Sequence, residues 1–477
     1  MIPTPPPQVS GTDREGRLHR RPKVLFLARS FRPATTMGSV RTWNLAKYLT
    51  RLGWEVTVVT PHPAVWRYVE DCTETEVDLQ REGIQRILTD YRWRWLMPEQ
   101  LNCWNRGLGW LAGGVCRWIA RRLGIDRGIG WLKAAEQACA ALTRSEVDLV
   151  LASAPPFTAF RLARRLAERL GRPYVLDYRD PWTENPYATE RARRAVIQEE
   201  ARLLADCAAV TIVSRSWEAA LEQRFGLGPK LHLVTNGYDA EDLANIMPYD
   251  FGHCALVYTG AFYPPKRVIT PILAALKQVT ATQTGTESPW YFHYYGGYAS
   301  LVYEEAKRYG VLGRVVLHGQ VPRAEALAAI RGARMAVVIT SVAAEATLAD
   351  RGMVPGKVFE ALGLGTPILL IAPPDSDIAR FTEAAGVARR FIGSDTAGIA
   401  AFLTEVRHGW TPELRGRDEY AWTNLGKKMD TILRTALSSS GSVLLRPSPA
   451  QRVTKERTDD SHRTLSQEPS PRRSDTW

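Results

Sequence analysis

The sequence predicts an α/β fold with two domains, each built around a parallel β-sheet. The chain has 477 residues, which is too long for a single hydrophobic core. Short apolar runs alternate with amphipathic helical stretches, the order expected of a parallel sheet whose strands are joined by crossover helices. This alternation stops once near the middle of the chain and then starts again. Two similar domains in series explain all three observations.

The first series of elements covers residues 22–238. Its opening run, 23–28, is rich in Val, Leu and Phe and predicts a strand buried on both faces. A loop that contains Gly38 follows, then an amphipathic helix that ends at Gly53, and then a second strand over 54–60. Further strands are predicted over 148–153, 174–178, 209–214 and 231–236. We expect this series to form one Rossmann-like domain.

A second series begins after a polar stretch at 239–252, which we interpret as a linker. Residues 253–417 are predicted to form a second Rossmann-like domain. Its predicted strands cover 255–260, 290–295, 315–319, 335–340 and 367–372. The helical stretch 418–437 lies beyond this sheet and is expected to pack back towards the first domain. Residues 1–21 and 438–477 have few apolar residues and are predicted to be disordered.

The net charge of +12 is concentrated in part of the first domain. Residues 81–133 contain ten Arg and Lys against four Asp and Glu, an excess of +6. Such a basic region is typical of contact with nucleic acid, an anionic membrane surface or phosphorylated small molecules. Because the chain contains no recognised nucleic-acid-binding motif, we expect no nucleic-acid partner.

Residues 91–133 hold six of the fifteen tryptophans. Between 104 and 119, aromatic and aliphatic side chains fall on one face of a helix and arginines lie towards the other. This pattern is typical of an interfacial helix in peripheral contact with an anionic membrane. The other interpretation is an internal helix whose tryptophans pack on the sheet. The sequence leaves both open.

Two absences shape the expected location of the protein. No run of about 18 apolar residues is present, and the N-terminus lacks the apolar segment of a secretory signal. We therefore expect a cytoplasmic protein, at the inner face of the membrane if 91–133 contacts lipid. The six cysteines show no zinc-binding spacing and are predicted to be reduced thiols in the core.

Several segments together resemble the retaining glycosyltransferases of family 4, in a bacterial branch of that family. In the first domain the resemblance covers KVLFLARSFRPATTMGSVRTWNLAKYLTRLGWEVTVVT and DLVLASAPPFTAFRLARRLAERLGRPYVLDYRDPW. In the second domain it covers LVYTGAFYPPKR, VVLHGQVPRAEALAAIRGARMAVVI and MVPGKVFEALGLGTPILLI. The resemblance implies the GT-B fold, in which an N-terminal acceptor domain and a C-terminal nucleotide-sugar domain face each other across a cleft.

The resemblance also implies the activity. It is the transfer of a sugar, of the hexose type, from a nucleotide-sugar donor with retention of configuration. The acceptor stays open among a polysaccharide, a lipid-linked molecule and a small molecule. The base and sugar of the donor stay open as well.

Five residues of the second domain match the family's donor site. Glu360 matches the carboxylate that accepts both ribose hydroxyls. Gly356 and Lys357 open a helix whose N-terminus suits a diphosphate. Val321 stands where the family holds the base through its main chain. Gly260 ends the matching YTG strand beside them.

Lys266 and Arg267 resemble the family's phosphate-binding basic pair. They are adjacent here, and Ala261 or Phe262 stands where the family has an arginine nearer the strand. The resemblance implies that negative charge growing on the leaving diphosphate must be stabilised. We assign that task to Lys266 as a catalytic residue, with Arg267 and the Gly356 helix start.

The loop of Gly38 and Ser39, in the first domain, is expected to face the same diphosphate across the cleft. One position departs from the family's pair of glutamates. Eight residues before Glu360 stands Gly352, so the first carboxylate of the pair is missing. Asp350 or Glu345, from the same loop, is a candidate replacement.

The acceptor side is predicted at the carboxyl end of the strand that leads into DYRDPW, where α/β sites form. Asp177, Arg179 and Arg41 are placed there as acceptor-side residues. Asp180 is predicted to be catalytic, as a group that orients the acceptor hydroxyl or acts as a weak base. The other interpretation is an Asp180–Arg179 network that ties loops together. His62 has a suitable pKa for a base but is typical of a plain loop residue.

The DSD segment at 375–377 resembles a metal-binding motif, yet it opens a helix and is more simply explained by N-capping. We expect no obligatory metal and no cofactor. Two other activities share the fold: a nucleotide-sugar epimerase, and a phosphorylase with a lysine-bound pyridoxal group. A non-catalytic sugar-nucleotide-binding protein also remains open because of Gly352.

Overall fold

The structure of the chain is a computed structural model. It describes residues 20–34, 36–67, 69, 71–94, 114–115, 118–119, 126, 128–183, 190–282 and 287–443. Within these ranges the chain forms two α/β domains, and every strand pairing is parallel. The predicted fold class is confirmed.

The first domain holds a seven-stranded sheet in the order β3-β2-β1-β4-β5-β6-β7. Its elements are β1 (Lys23–Leu27), α1 (Met37–Arg51), β2 (Glu55–Pro61), a short 3-10 helix (Pro63–Val65), α2 (Cys72–Glu82), β3 (Gln85–Thr89), α3 (Ile129–Ala138), β4 (Leu149–Ala154), α4 (Thr158–Leu170), β5 (Tyr174–Tyr178), α5 (Glu190–Asp206), β6 (Ala209–Ile212), α6 (Arg215–Phe225), a 3-10 turn (Gly228–Lys230) and β7 (Leu231–Leu233). A short helix, α7 (Ala240–Ala244), lies in the predicted linker.

The second domain holds a six-stranded sheet in the order β10-β9-β8-β11-β12-β13. Its elements are β8 (Cys254–Thr259), α8 (Thr270–Thr282), β9 (Trp290–Tyr295), α9 (Ala299–Tyr309), a 3-10 turn (Leu312–Arg314), β10 (Val315–Gly319), α10 (Arg323–Gly332), β11 (Met335–Ile339), α11 (Leu348–Arg351), α12 (Gly356–Leu364), β12 (Ile368–Ile371), α13 (Asp377–Ala384), β13 (Ala388–Phe391) and α14 (Thr396–Arg407). A 3-10 turn (Arg417–Tyr420) then leads into α15 (Trp422–Val443).

Helix α15 returns to the first domain and completes its core. Trp422 and Met429 are fully buried in the same apolar cluster as Trp54 of the first sheet. The Trp54 indole donates a hydrogen bond of 2.6 Å to Asp430. Gly426 lies on Tyr48 of α1, where a Cβ atom would come within 2.6 Å of the tyrosine side chain. The last helix therefore belongs structurally to the domain at the other end of the chain.

Two strands, β3 and β13, were not predicted. Each lies at the edge of its sheet and pairs with one neighbour. The β13 sequence, ARRF, and the β3 sequence, QRILT, each carry arginine, so neither shows the continuous apolar run of a strand buried on both faces. Helix α15 also continues to Val443, beyond the predicted start of the disordered tail at 438.

Some expectations concern residues outside the described ranges. Most of the predicted amphipathic insert, 95–113 and 120–125 among it, lies there, as do residues 1–19 and 444–477 of the predicted tails. Of the described insert residues, Val115, Trp118 and Ile119 are exposed. None of the helices in the described part of the chain combines the length and apolar character that a membrane span requires.

The expectation of core thiols holds for part of the described cysteines. Cys139 and Cys207 are buried, and Cys254 is partly buried. Burial raises the pKa of Cys139 to about 11 and that of Cys207 to about 12, so both thiols stay protonated. Cys72, in contrast, is exposed at the start of α2, and its placement in the core was wrong.

Candidate functional site

The two domains touch where the second domain has glycine. A Cβ atom at Gly356, the first residue of α12, would lie 2.0 Å from the methyl carbon of Met37 at the start of α1. A Cβ atom at Gly352 would lie 2.2 Å from the indole nitrogen of Trp217 in α6. A side chain at Gly352 would require the Trp217 indole to shift, whereas the flexible end of Met37 could move away from one at Gly356. The two glycines thus allow close contact between the domains.

A cavity lies between the domains at this contact. It is lined by Met37, Val40, Arg41, Asn44, Asn236, Gly237, Tyr238, Asp239, Leu243, Arg323, Gly356, Glu360 and Trp422. Two of the predicted donor-binding residues, Gly356 and Glu360, therefore share one cavity with the predicted acceptor-side residue Arg41. The segment 236–239, which leads from the first domain to the second, lines the cavity. Met37 in the first turn of α1 and Gly356 in the first turn of α12 line it as well.

Glu360 faces this cavity from α12. Its side chain is 14% exposed, and its Oε1 atom accepts a hydrogen bond of 3.0 Å from Nη2 of Arg323. Arg323 is the first residue of α10. Arg323 was not among the predicted site residues, although it directly follows the HGQVP segment that resembles the family. The ion pair orients the carboxylate that is predicted to hold the ribose.

Lys357 lies against the end of β8. Its ammonium group donates a hydrogen bond of 2.5 Å to the Thr259 carbonyl and stands 3.8 Å from the centre of the Tyr258 ring. Gly260, with a φ of +102°, lets the chain turn beside it. Burial lowers the pKa of Lys357 well below its ordinary value, Arg267 lowers it further, and Glu360 acts in the opposite direction.

Arg267 lies close to the same helix start. It closes a small hairpin, whose two backbone hydrogen bonds to Tyr263 measure 2.9 and 3.0 Å. One guanidinium nitrogen donates to the Met353 sulfur at 3.1 Å, and Nε is buried without a hydrogen-bond partner. Over the described residues, no carboxylate forms an ion pair with Arg267. Arg267 and Lys357 therefore leave positive charge uncompensated near the N-terminus of α12, which has no acidic residue in its first turn.

Lys266 differs from its neighbour because its charge is already paired. Its ammonium group lies 2.7 Å from both oxygens of Asp350. Burial raises the pKa of Asp350, but the hydrogen bonds from Lys266 and from Thr347 outweigh it, so the net pKa lies below the ordinary value. The predicted catalytic task of Lys266 at a leaving phosphate thus competes with an existing ion pair.

The same geometry bears on the missing carboxylate. Gly352, which stands where the family has its first glutamate, is packed against the Trp217 indole and has no space for a side chain. Of the two candidate replacements, Glu345 is exposed, whereas Asp350 is buried and reaches Lys266. Asp350 also accepts a hydrogen bond of 2.6 Å from Thr347, so it caps α11 as well.

In the first domain, Arg41 and Asp177 form a buried ion pair. Nη2 and Nε of Arg41 lie 2.6 and 3.0 Å from the two Asp177 oxygens. The exposed fractions of the two side chains are 2% and 0%. The carboxylate also accepts hydrogen bonds of 2.7 Å from Ser153 and from Thr211. Burial raises the pKa of Asp177, but Arg41 and the two hydroxyls bring it below the ordinary value.

Arg41 is bound on its other side as well. It donates to the carbonyl oxygens of Val234 and Thr235 at 3.0 and 2.8 Å, and to the Asn236 side chain at 3.2 Å. The charged groups of Arg41 and Asp177 are thus paired with each other and with the first domain, and their predicted place on the acceptor side stays a prediction. Their role is to fasten α1 to β5 and to the segment that leads out of the first domain.

Arg179 and Asp180 directly follow β5. The Arg179 guanidinium lies over Gly38, where a Cβ atom would come within 1.7 Å of Nη1, and it donates to the Pro155 carbonyl. No ion pair joins Arg179 to Asp180, so the alternative of a tight Arg179–Asp180 network is absent among the described contacts. Asp180 lies at the surface after β5; partial desolvation of its carboxyl raises its pKa to about 6, while Arg179 opposes the shift.

Two further positions singled out by the sequence have structural roles. The Ser39 hydroxyl donates to the Ala34 and Thr36 carbonyls and takes part in a capping box at the start of α1. Its hydrogen bonds within the fold compete with any contact to a nucleotide sugar. His62 is exposed, and its Nδ1 accepts from the Ala64 amide at 3.2 Å, as a loop residue does.

The interpretation of 375–377 as a helix N-cap was wrong in its detail. Ser376 occupies the cap position without a side-chain cap bond. Asp375 pairs with Arg351 at 2.6 Å. The Asp377 carboxylate accepts from the Ser216 amide and hydroxyl of the first domain, at 2.8 and 2.9 Å. The segment fastens the domains together.

Val321 is half-buried after β10 and packs against the apolar cluster beneath α12. Its main-chain role at a base stays a prediction. No three His, Cys, Asp or Glu side chains of the described residues are grouped so as to hold a metal ion.

Comparisons with known proteins agree with this architecture. Residues 38–242 match the model of Glycosyltransferase Family 4. Sucrose-phosphate synthase from Thermosynechococcus elongatus has a similar structure, with 15% identity, 91% of this chain and 100% of that chain covered, and a TM-score of 0.57. No curated protein matches the chain by sequence.

Two other solved structures are similar. The UDP-forming α,α-trehalose-phosphate synthase from Burkholderia vietnamiensis has 12% identity, covers 88% of this chain and 100% of its own, and gives a TM-score of 0.54. Alr3699/HepE from Anabaena, in complex with UDP and glucose, has 14% identity, 89% and 100% coverage, and a TM-score of 0.51. At such identities the likeness shows the GT-B fold.

The Arg41–Asp177 ion pair makes a stability prediction. Arg41→Ala leaves a carboxylate buried without its cation, and we expect a loss of about 3 to 5 kcal/mol in the free energy of unfolding at neutral pH. The lowered folded-state pKa of Asp177 stabilises the native protein above the unfolded pKa of about 4, and this contribution disappears as the pH falls through the folded value. The difference between wild type and variant should therefore shrink in acid.

Melting temperatures measured between neutral and acidic pH check this. The matched control is Arg194→Ala, whose side chain is 76% exposed. The double variant with Asp177→Asn should recover part of the loss at neutral pH. An Arg41→Ala protein as stable as the control would contradict the structural assignment.

Proposed function

We propose that this chain, whose N-terminal domain matches glycosyltransferase family 4, moves a hexose from a nucleotide-sugar donor to an acceptor. One observation carries the proposal. Arg267 and Lys357 lie near the N-terminus of α12, the helix that carries Glu360 to the interdomain cavity. A diphosphate next to a diol is the ligand that such a set of groups recognises.

The diphosphate site is supported by charge balance. Burial lowers the pKa of Lys357 well below its ordinary value, and the nearby charge of Arg267 lowers it further. The positive end of the α12 dipole adds to the same potential. A bound diphosphate would supply negative charge next to both cations and the helix N-terminus. It would stabilise the ammonium form of Lys357 and offer an acceptor to Nε of Arg267, which has no hydrogen-bond partner.

The ribose is assigned to Glu360. Its carboxylate is held by Arg323 through one oxygen and lines the cavity next to Gly356. A carboxylate accepts two hydroxyl hydrogen bonds from a vicinal diol, and a charged acceptor makes each of them stronger. The base then lies towards Val321, whose main chain is proposed to hold its edge. The fold shared with HepE, whose structure contains UDP and glucose, agrees with this donor class.

We assign the reaction to electrostatic stabilisation of the leaving diphosphate, with retention of configuration. Arg267, Lys357 and the Gly356 helix start face the growing negative charge. Lys266 takes part if it leaves Asp350. Gly38 lies at the first turn of α1, across the cleft from Gly356, so amide groups of both domains approach the same region.

Asp180 is proposed to orient the acceptor hydroxyl and to accept its proton. The residue is exposed at the carboxyl end of β5, and partial desolvation raises the pKa of its carboxyl to about 6. A proton acceptor with a pKa near neutrality remains deprotonated at neutral pH and still has useful basicity.

A sugar-nucleotide-binding protein without catalysis is the second candidate. The packing of Gly352 on Trp217 and the neutralisation of Lys266 by Asp350 favour it, because both remove groups that handle the sugar in the family. Release of free or transferred sugar from a labelled donor distinguishes the two. Binding without any turnover would favour the binding protein.

The donor site makes a prediction about nucleotide and nucleoside affinity. UDP, GDP, ADP and TDP are compared first by thermal shift, and the best ligand is kept. Arg267→Ala should weaken that nucleoside diphosphate about ten-fold or more, since a charge-assisted hydrogen bond contributes about 1.5 to 3 kcal/mol. The parent nucleoside, which lacks phosphate, should bind the variant as it binds wild type.

Glu360→Gln gives the complementary result. It should weaken the nucleoside and the nucleoside diphosphate equally, because both contain the ribose. Isothermal titration calorimetry measures both affinities, and Glu304→Gln, an exposed glutamate of α9 on the same domain, is the matched control. Unchanged affinity of the diphosphate in both Arg267→Ala and Glu360→Gln would refute the donor site.

Asp180 makes a prediction about pH. Because its pKa is about 6 and the deprotonated form is the active one, kcat/KM should rise as the pH increases through about 6 and level off above it. Asp180→Asn should lower the rate and remove this rise. Asp206→Asn, in an exposed carboxylate of α5, should keep the wild-type profile. A rise that persists in Asp180→Asn would assign it to another group.

The proposed chemistry needs no metal, because Arg267 and Lys357 supply the positive charge at the diphosphate. Transfer should therefore continue after dialysis against a chelator. The measurement is turnover with and without added Mg²⁺ or Mn²⁺. Complete loss on chelation, restored by either ion, would contradict this assignment.

A further inference from the structure

The arginine that contacts Glu360 is shared with a second carboxylate. Nη2 of Arg323 donates to Oε1 of Glu360 at 3.0 Å, and Nη1, at the other end of the guanidinium, lies 3.8 Å from Oδ2 of Asp242. Asp242 belongs to α7, the short helix that follows the first domain. The Arg323 guanidinium therefore joins this helix to the carboxylate that is assigned to the ribose.

A second arginine contacts Asp242 from the first domain. Nη2 of Arg32 lies 3.5 Å from the same Oδ2 atom, and Nη1 of Arg32 donates to Asp78 of α2 at 3.1 Å. The Arg32 guanidinium also stands 4.6 Å from the centre of the buried Trp43 ring. These contacts restrict the Arg32 side chain. Asp242 thus lies between one arginine of each domain.

These ion pairs are partly shielded from water. The side chain of Asp242 is 19% exposed, and those of Arg32 and Arg323 are 20% and 30% exposed. Salt screens partly buried charges much less than it screens charges on an open surface. The position of the Asp242 carboxylate therefore influences the orientation of the Arg323 guanidinium.

The orientation of Arg323 matters because of what Glu360 has to accept. A vicinal diol donates to the two oxygens of a carboxylate, and an arginine in the side-on arrangement places two parallel N–H groups on the same two oxygens. Arg323 instead donates to Oε1 of Glu360 through one nitrogen, and no hydrogen bond from the described residues reaches Oε2. Asp242, at the other end of the guanidinium, favours this end-on arrangement.

We propose that Asp242 is a positioning residue for the donor. It holds one end of the Arg323 guanidinium, so that Arg323 binds Glu360 end-on and both ribose hydroxyls can reach the carboxylate. Among the described residues, neither Asp242 nor Arg32 lines the interdomain cavity, so Asp242 acts through Arg323. The inference rests on the proposed function and adds a residue to its donor site.

The test compares a ribonucleotide with an analogue that lacks the diol. UDP and 2′,3′-dideoxyuridine 5′-diphosphate are used, or the matching pair for the base that the thermal-shift comparison ranks first. Isothermal titration calorimetry of the full chain gives the ratio of the two affinities, which we call the diol preference. Asp242→Asn should lower the diol preference about ten-fold, the effect of losing one hydrogen bond to a charged acceptor. The affinity for the dideoxy analogue should stay at the wild-type value.

The Asp242→Asn protein is expected to fold, because a neutral group suits this position. Burial and the charge of Asp239 raise the pKa of Asp242, although Arg32 and Arg323 oppose the shift. Melting temperatures check the fold, and Asp242→Ser is a second variant that should show the same loss. The matched control is Asp250→Asn, in an exposed aspartate of the linker, which should keep the wild-type diol preference.

A double-mutant cycle tests whether Asp242 acts through Arg323. In the Arg323→Gln protein, Asp242→Asn should cause no further change in the diol preference, because the group that it positions is gone. Two outcomes overturn the inference. One is a wild-type diol preference in folded Asp242→Asn and Asp242→Ser, and the other is an equal loss with and without Arg323. Failure of the proposed function has a different sign: wild type would bind neither nucleotide, or Glu360→Gln would keep the full diol preference.

Discussion

The close approach of the two domains depends on positions where the second domain has no side chain. Gly356 admits the Met37 side chain, and Gly352 admits the Trp217 indole. These contacts bring the first turns of α1 and α12 to opposite sides of one cleft. Because two helix N-termini then face the same space, the cleft carries a positive potential before any side chain is considered. The cations at Arg267, Lys357 and Arg179 strengthen this potential.

Buried ion pairs fix the position of α1 relative to the rest of the first domain. The Arg41 guanidinium binds Asp177 and the backbone of the segment that leaves the first domain. The Lys47 ammonium group donates a hydrogen bond of 2.7 Å to Asp239. Such pairs are costly to break because each partner would remain charged in a medium of low polarity. The protein therefore separates charges that hold the fold from charges that remain available to a ligand.

The distinction explains why neighbouring residues have different roles. Lys266 is neutralised by Asp350, whereas Arg267 next to it has no carboxylate partner among the described residues. Asp177 is closed by four hydrogen-bond contacts, whereas Asp180, three residues later, is exposed at the surface. The members of each pair carry charge of the same sign and lie within three residues of each other; the surrounding carboxylates and hydroxyls decide which of the two is paired inside the fold.

The sequence by itself determined the two α/β domains and most of the strands, because apolar periodicity is a local property that buried strands express directly. It also placed Gly356 and Glu360 together, because they lie on one helix. Strands β3 and β13 were not predicted, since arginines in QRILT and ARRF interrupt the apolar run. Only the tertiary structure decided that Arg41 pairs with Asp177, that Asp377 binds Ser216, and that Arg323 orients Glu360. Each of these depends on a partner distant along the chain, and packing alone brings such partners within hydrogen-bond distance.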